Sequence, residues 1–587
     1  MAKINGTDKN DALVDTLGDD TIYAKDGNDS VRITNGVDYA SGGTGEDKLI
    51  IRWGDTALHG EVYNTTSSHG FVGTSFDVST RSVDFPLRSF QHLDVALGSG
   101  DDLIHATPNR WDIVDGGDGT DFWIDSFSSL ATGMTFDVRR MASDGGLALD
   151  DGSIIRNIER VDLLLTGGDD VFRDFGAFDD EVSAGAGDDR VQVSDGIDYV
   201  SGGDGDDTLI VKWGDATEDA ELHNTTSSHG FVGNSFASSS RSVDFPLRSF
   251  EHVDVRFGSG DDVFHGRFNR WDKVNGGAGI DKWTDSLSSL ESGVNVLMNK
   301  IASARGQKFD DGSVARNVEV VDLTLTAHKD RFRDFGAHDD TVHTGAGDDR
   351  ITLSGGDDYI HGGSGTDVLK LLWRDAGTDA TLYNSGSTHA FVGASWGSST
   401  RRVDFEEIEK LVAKLGRGDD TVILGTGNDT VRAGGGSDTV EAGGGNDKIF
   451  GEAGGDTLDG GNGDDTITGG GGHDEIQGGA GDDRLVGNGG NDRLDGGSGD
   501  DILTGGAKRD TFVYAEGSDV ITDFRNNRDT IELDASDLGI SGLTVDEVLD
   551  LAEVIGGDTV FDFGGGNVLT LSGFTRIAQL SDDLVLA

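Results

Sequence analysis

Aspartate recurs at every ninth position between residues 415 and 513: Asp420, Asp429, Asp438, Asp447, Asp456, Asp465, Asp474, Asp483, Asp492, Asp501 and Asp510. Carboxylates at so strict an interval suit one chemistry, the holding of a hard cation through oxygen. Glycines crowd the residues ahead of each aspartate, as in Gly478-Gly479-Ala480-Gly481-Asp482-Asp483-Arg484-Leu485-Val486. Two residues beyond each aspartate stands one apolar side chain: Val422, Val431, Val440, Ile449, Leu458, Ile467, Ile476, Leu485, Leu494, Leu503 and Phe512. The repeat is G-G-x-G-x-D-x-U-x, with U large and apolar. Shorter blocks keep the same spacing, at Asp20, Asp29, Asp38 and Asp47, at Asp180, Asp189, Asp198 and Asp207, and at Asp340, Asp349, Asp358 and Asp367. Their glycine pattern is poorer, so weak or empty sites are expected among them.

Elements that position such carboxylates follow from the period. Nine residues divide into a six-residue turn and a three-residue strand. The turn needs glycine, which takes positive φ without steric cost and leaves the backbone open to an ion. In x-U-x the side chains alternate, one inward and two outward. Two nonapeptides make one turn of a flattened parallel coil, with U residues inside and turns along both edges. The fold class expected is therefore all-β, a parallel β-roll or β-solenoid closed by a small C-terminal cap.

Coils stack about 4.8 Å apart, which brings the aspartates into columns at that interval. Two bare charges so close repel by about 1 kcal/mol at the dielectric of water, and several-fold more at a partly dehydrated site. A thin apolar ladder does not easily offset a column of such repulsions. Calcium does, because it takes six to eight oxygens from carboxylates and carbonyls. Folding and calcium binding are then expected to be one event. Without the ion, a Gly- and Asp-rich tract with so little apolar content stays unfolded.

The pattern resembles the RTX, or hemolysin-type calcium-binding, family of type I secreted bacterial proteins; the motif is already known as a calcium-binding repeat and is matched here, not discovered. The resemblance covers 415–513 tightly and shorter blocks elsewhere. It implies a β-roll with calcium between turns, ligated by the repeat aspartates and by carbonyls of alternate turn residues. In this chain those residues are Gly434 and Gly436, Gly443 and Gly445, Gly461 and Gly463, Gly470 and Gly472, Gly479 and Gly481, and Gly497 and Gly499. Because the family hosts proteases, lipases, toxins, adhesins and surface-layer proteins, it implies the architecture and the ion but not the task.

A second periodicity, of 160 residues, organises the rest. Trp53, Trp213 and Trp373 each follow a short aspartate block. The stretch Asn64 to Gly73 returns as Asn224 to Gly233 and, loosely, as Asn384 to Gly393. Two full units and a truncated third are expected: 1–165, 166–325 and 326–414, followed by the contiguous roll at 415–513 and the cap at 514–587. The cap is expected to hold strands at 519–524 and 529–533, a helix over 545–552, and a hairpin around Gly564-Gly565-Gly566. The ending Asp582-Asp583-Leu584-Val585-Leu586-Ala587 is similar to an uncleaved type I secretion signal.

Composition limits the partners. The chain has 587 residues and a formal net charge of −61. Such a surface argues against nucleic acid and against unaided binding to an acidic membrane, and favours cations. There is no cysteine and there are only 3 prolines beside 93 glycines, so ordered glycine turns and calcium, not disulfides, must hold an exported form together. No apolar run is long enough for a transmembrane helix. The N-terminus lacks the apolar core of a secretory signal.

Other constellations are weighed against plainer readings. Gly393-Ala394-Ser395-Trp396-Gly397 matches the hydrolase pattern G-x-S-x-G, but the equivalent stretches beginning at Gly73 and Gly233 lose the last glycine. No H-E-x-x-H is present. Arg417-Gly418-Asp419 spells an adhesive tripeptide inside a calcium turn. Asn64, His69, Phe71, Arg81 and Trp53, repeated by unit, could hold a sugar with avidity, although duplicated packing residues explain them more simply. His338, His343 and His361 lie among aspartates and are expected to be solvated turn residues, with a zinc site as the alternative. The function expected is a secreted, non-enzymatic protein that folds on extracellular calcium and has a structural or adhesive role. Its partners would be calcium ions, a type I secretion apparatus, and a surface glycan or further copies of itself. A glycan-binding, lectin-like protein and a secreted hydrolase with an unrecognised site are the alternatives.

Overall fold

A computed structural model describes the chain except at residues 1, 54–60, 65–68, 74–81, 87–89, 107–111, 151, 214–220, 225–228, 234–240, 247–249, 267–271, 289, 311, 374–380, 384–389 and 394–400. The chain forms two compact units, Met1–Thr284 with Lys308–Val318, and Asp285–Gln307 with Glu319–Ala587.

The second unit holds the long aspartate repeat. Strands Thr439–Glu441, Thr457–Asn462, Glu475–Ala480, Arg493–Ser498 and Thr511–Tyr514 pair in parallel down one face. Strands Thr430–Gly435, Lys448–Ala453, Thr466–Gly471, Arg484–Gly489 and Ile502–Ala507 do the same down the other. The register pairs Ile467 with Leu485 and Ile476 with Leu494, a shift of 18 residues, or two nonapeptides per coil. Leu458, Ile476, Leu494 and Phe512 on one face, and Ile449, Ile467, Leu485 and Leu503 on the other, are at most 1% exposed. Each such burial is worth about 1.5–3 kcal/mol. This is the parallel β-roll that the apolar period implies.

The strands exceed the expected three residues. They continue through the first glycines of the next repeat, so that Gly461 pairs with Gly479 and Ala480 with Ser498. Stacked glycines have no side chains to separate them, and the ladder runs on into the turn.

The cap follows its sequence pattern. Ser518–Ile521 and Thr530–Leu533 extend the two ladders. Asp558–Gly564 and Asn567–Leu571 form an antiparallel hairpin, whose second strand joins Ser518–Ile521 in parallel. The helix is shorter than the expected 545–552: it spans Val545–Leu549, starting at a capping box formed by Thr544 and Glu547, and Ala552–Ile555 is instead a strand antiparallel to Asp558–Gly564. Leu584–Leu586, within the acidic-then-apolar ending, is a strand paired to Thr530–Leu533.

In the first unit the same 18-residue register links Ala2–Asn5, Asp20–Tyr23 and Val37–Ser41. A three-stranded antiparallel meander then interrupts the coil, formed by Glu61–Asn64, His69–Gly73 and Ser82–Pro86. Ser82–Pro86 returns beside Val37–Ser41, and Glu61–Asn64 lies beside Leu103–Ala106, both in parallel. Equivalent meanders follow Thr208–Lys212 in the first unit and Val368–Leu372 in the second. The 160-residue repeat is thus a coil with a meander spliced into it. Two one-turn helices that no periodicity announces, Val138–Met141 and Met298–Ile301, each bury two apolar side chains. Among the described residues no helix is long and apolar enough to cross a membrane.

Candidate metal centre

The repeat aspartates form two ladders. On one edge the backbone N–H of Asp447 donates to Asp465 Oδ1 (2.7 Å), that of Asp465 to Asp483 (2.7 Å) and that of Asp483 to Asp501 (2.8 Å). On the other, Asp438 donates to Asp456 (2.9 Å), Asp456 to Asp474 (3.0 Å) and Asp474 to Asp492 (3.0 Å). Asp420 and Asp429 head these two runs, donating to Asp438 and Asp447. Each carboxylate therefore spends one oxygen on holding the neighbouring coil. The other oxygen, Oδ2, is buried and has no hydrogen-bond partner at Asp438, Asp447, Asp456, Asp465, Asp474, Asp483, Asp492, Asp501 and Asp510.

A buried carboxylate oxygen without a partner costs free energy unless a cation meets it. The surroundings supply what a hard cation needs. All the glycines named above for carbonyl ligation have φ between +94° and +150°. A Cβ built on Gly479 would lie 2.0 Å from the carbonyl oxygen of Gly461, and one on Gly481 would lie 2.3 Å from that of Gly463. Carbonyls of successive coils are therefore stacked against bare backbone. The glycine opening each repeat is needed for another reason: a Cβ on Gly478 would sit 2.3 Å from Asp483 Oδ2. Among the described residues no three His, Asp or Glu side chains converge as a metal-holding group. Oxygen-only donors with several carbonyls suit calcium.

Electrostatics agrees. Burial, opposed by the ladder hydrogen bond and augmented by neighbouring carboxylates, pushes Asp438, Asp447 and Asp483 up to about 7. Asp465, Asp492 and Asp501 rise to about 6 and Asp519 to about 8, with burial again the largest cause. Without a cation these groups are drawn toward the protonated form near neutral pH.

The short blocks carry the same arrangement. Asp29, Asp38 and Asp47, then Asp180, Asp189, Asp198 and Asp207, then Asp340, Asp349, Asp358 and Asp367, all have a buried Oδ2 without a hydrogen-bond partner. Asp20 departs from them: its Oδ2 already accepts the N–H (2.6 Å) and O–H (2.7 Å) of Thr16. The structure also adds sites absent from the nine-residue reading. Asp102 donates to Asp121 Oδ1 and Asp262 to Asp281 Oδ1, with an offset of 19 residues. Gly116-Gly117-Asp118-Gly119-Thr120-Asp121-Phe122-Trp123 matches the full motif with tryptophan as U. Its signal is hidden because the one-residue insertion breaks the register.

Other expectations resolve as follows. Trp53, Trp213 and Trp373 are at most 2% exposed, so these rings fill the core and present no face to a sugar. His343 and His361 are not turn residues; they stand in register on adjacent strands with ring centroids 5.4 Å apart, and Glu406 and Glu407 flank His361 at 3.5 and 3.4 Å. Asp419 of the Arg-Gly-Asp tripeptide is engaged in its turn, accepting the N–H of Ser437 at 2.7 Å. The serine of the G-x-S-x-G match, Arg81, and the side chains of Asn64, His69 and Phe71 lie outside the described residues.

The model of the RTX calcium-binding nonapeptide repeat, four copies long, matches residues 5–32, 176–217 and 336–369, and overlapping stretches from 416 to 521. Over these residues the chain carries RTX calcium-binding nonapeptide repeats. RTX nonapeptides bind calcium, which is the ion the oxygen-only turns suit. A search of curated proteins finds no match to this chain. Among solved structures, the extracellular lipase LipA from Serratia marcescens matches with 19% identity and a TM-score of 0.13, covering 46% of this chain and 41% of the lipase. The chain thus spans less than half of that lipase's length, and so slight a likeness carries nothing about activity.

Proposed function

We propose that this RTX-repeat protein is a non-catalytic structural or adhesive component, exported by a type I secretion apparatus and folded outside the cell by calcium. One observation carries the calcium reading: columns of buried aspartates, most of them with one carboxylate oxygen left without a hydrogen-bond partner beside stacked carbonyls. The residues that would hold the ions are the open aspartates at 438–510 and in the short blocks, with the carbonyls of the left-handed turn glycines. Calcium would supply charge neutralisation and a shared set of oxygen contacts between neighbouring coils. The chain's own part is to order those oxygens: the ladder hydrogen bonds fix each carboxylate, and the U residues fix coil spacing.

At low cytosolic calcium, the aspartate columns repel and the chain stays loose enough for export. At the roughly 10⁻⁴–10⁻³ M calcium to which extracellular modules respond, the coils close. The folded surface would then serve in self-assembly or in contact with a surface glycan. Circular dichroism tests the switch: calcium should produce a large gain in β signal, and alanine at Asp465, Asp474 and Asp483 should raise the calcium required. A chain compact and rich in β structure in strong chelator at pH 8 would refute it. Electron microscopy with and without calcium distinguishes a lattice or fibre from a monomer.

A further inference from the structure

Not every ladder aspartate is open, and the exceptions share one local chemistry. Thr7, Thr16, Thr166 and Thr326 each precede an aspartate by four residues. In open turns that position is typically a glycine with positive φ, as at Gly461, Gly479 and Gly497. None of the four threonines is left-handed, a region their branched Cβ disfavours. Their N–H groups instead turn onto the aspartate of their own turn. Asp170 Oδ2 accepts the N–H of Thr166 at 2.8 Å and its hydroxyl at 2.9 Å. Asp330 Oδ2 accepts those of Thr326 at 2.8 and 3.0 Å. Thr7 closes on Asp11 and Thr16 on Asp20 in the same way.

These carboxylates stand where ladders begin. Asp170 passes its N–H to Asp189, Asp330 to Asp349, Asp11 to Asp29 and Asp20 to Asp38. The groups donating to Oδ1 from the preceding side are not aspartates: Met134 for Asp170, Val294 for Asp330 and Ala2 for Asp20. At the far end of the long ladder, Asp510 donates to Asp529, and Asp529 is closed as well. Arg525, again four residues ahead, gives its N–H to Asp529 Oδ2 at 2.9 Å. The Arg525 and Arg528 guanidinium groups donate to the Gly506 carbonyl of the coil before it, at 2.8 and 3.0 Å, and Arg528 Nε donates to Asp529 Oδ1. Asp180 and Asp340 also accept at Oδ1 from residues that are not aspartates, Val161 and Val321, yet their Oδ2 atoms are open, so what closes a turn is the donor four residues ahead and not its place in the ladder.

We propose that the chain carries its own substitutes for calcium at five turns: the threonines four residues ahead of Asp11, Asp20, Asp170 and Asp330, and the Arg525–Arg528 pair at Asp529. These turns are closed without metal, and calcium loads only the open turns between them. The inference rests on the calcium reading above.

The test counts ions on the full-length chain by equilibrium dialysis with radioactive calcium at saturation. Asp→Asn keeps shape and an acceptor oxygen. D349N and D483N, at open turns, should each bind about one calcium fewer, since a carboxylate ligand is lost. D170N, D330N and D529N, at closed turns, should bind as many as the parent. Loss of calcium from the closed-turn variants equal to that from the open-turn ones overturns the proposal. If the open-turn variants also lose none, the calcium reading itself fails, and this inference with it. T326V retains the Asp330 carboxylate and covers the case in which D330N does not fold; it should leave the calcium number unchanged, and a changed number overturns the proposal.

Discussion

Two glycine-to-alanine substitutions in the same roll should behave oppositely. A Cβ at Gly478 would meet Asp483 Oδ2 at 2.3 Å and the carbonyl oxygen of Gly496 at 2.5 Å. A Cβ at Gly444 would meet nothing nearer than 3.9 Å. Neither residue is in the left-handed region, so backbone strain does not separate them. In G444A the only large effect is on the unfolded chain, a stabilisation of about 0.4–1 kcal/mol. In G478A the carboxylate must leave its place, forfeiting a charge-assisted contact of about 1.5–3 kcal/mol, and displacement of the backbone carbonyl adds about 1–3 kcal/mol more. A loss near 4 kcal/mol is expected. Calcium titration alone would understate it. Nine open aspartates share the roll's ions, so a loss of that size, at about 1.4 kcal/mol per decade, shifts the calcium midpoint only about two-fold if all nine load together. Urea unfolding at saturating calcium is the better assay, because 4 kcal/mol moves the midpoint by about 1–4 M at ordinary slopes. Equal midpoints for G478A and G444A would refute the placement of the carboxylate against the first glycine of the repeat.

Acid should partly replace calcium. Burial raises the folded-state values of Asp438, Asp447 and Asp483 to about 7 and of Asp519 to about 8, against about 3.9 for an ordinary aspartate. The folded form then binds more protons than the unfolded one between those limits, so its metal-free stability grows as pH falls from about 8 toward 4 and is lost as pH rises again. In chelator, the β signal at pH 5 should exceed that at pH 8, and a flat profile would contradict the burial of these groups. Leu485 is fully buried between coils; L485A should cost about 2–5 kcal/mol at saturating calcium, read as a fall in the urea midpoint, whereas a neutral result would mean the interior is not packed as described.

The roll and its cap were legible in the linear chain because their determinants are local. An apolar residue every nine positions can be buried by only one coil size, and the 18-residue register follows. Gly564-Gly565-Gly566 between two alternating runs signals its hairpin in the same way. The Asp102–Asp121 and Asp262–Asp281 rungs escaped that reading because an offset of 19 breaks the period without breaking the coil. His343 and His361, 18 residues apart, looked like unrelated turn residues until the register set them side by side.

By itself the sequence determined the period, the oxygen chemistry of the turns and the identity of the interior side chains. Only the tertiary structure decided which carboxylate oxygens are open to an ion. Asp330 and Asp349 both stand in the nine-residue pattern, yet Oδ2 of the first accepts a threonine hydroxyl and Oδ2 of the second has no hydrogen-bond partner. The difference lies in the fold of the turn around each residue, where the backbone four positions ahead either turns its N–H onto the carboxylate's second oxygen or takes the left-handed conformation and leaves that oxygen open.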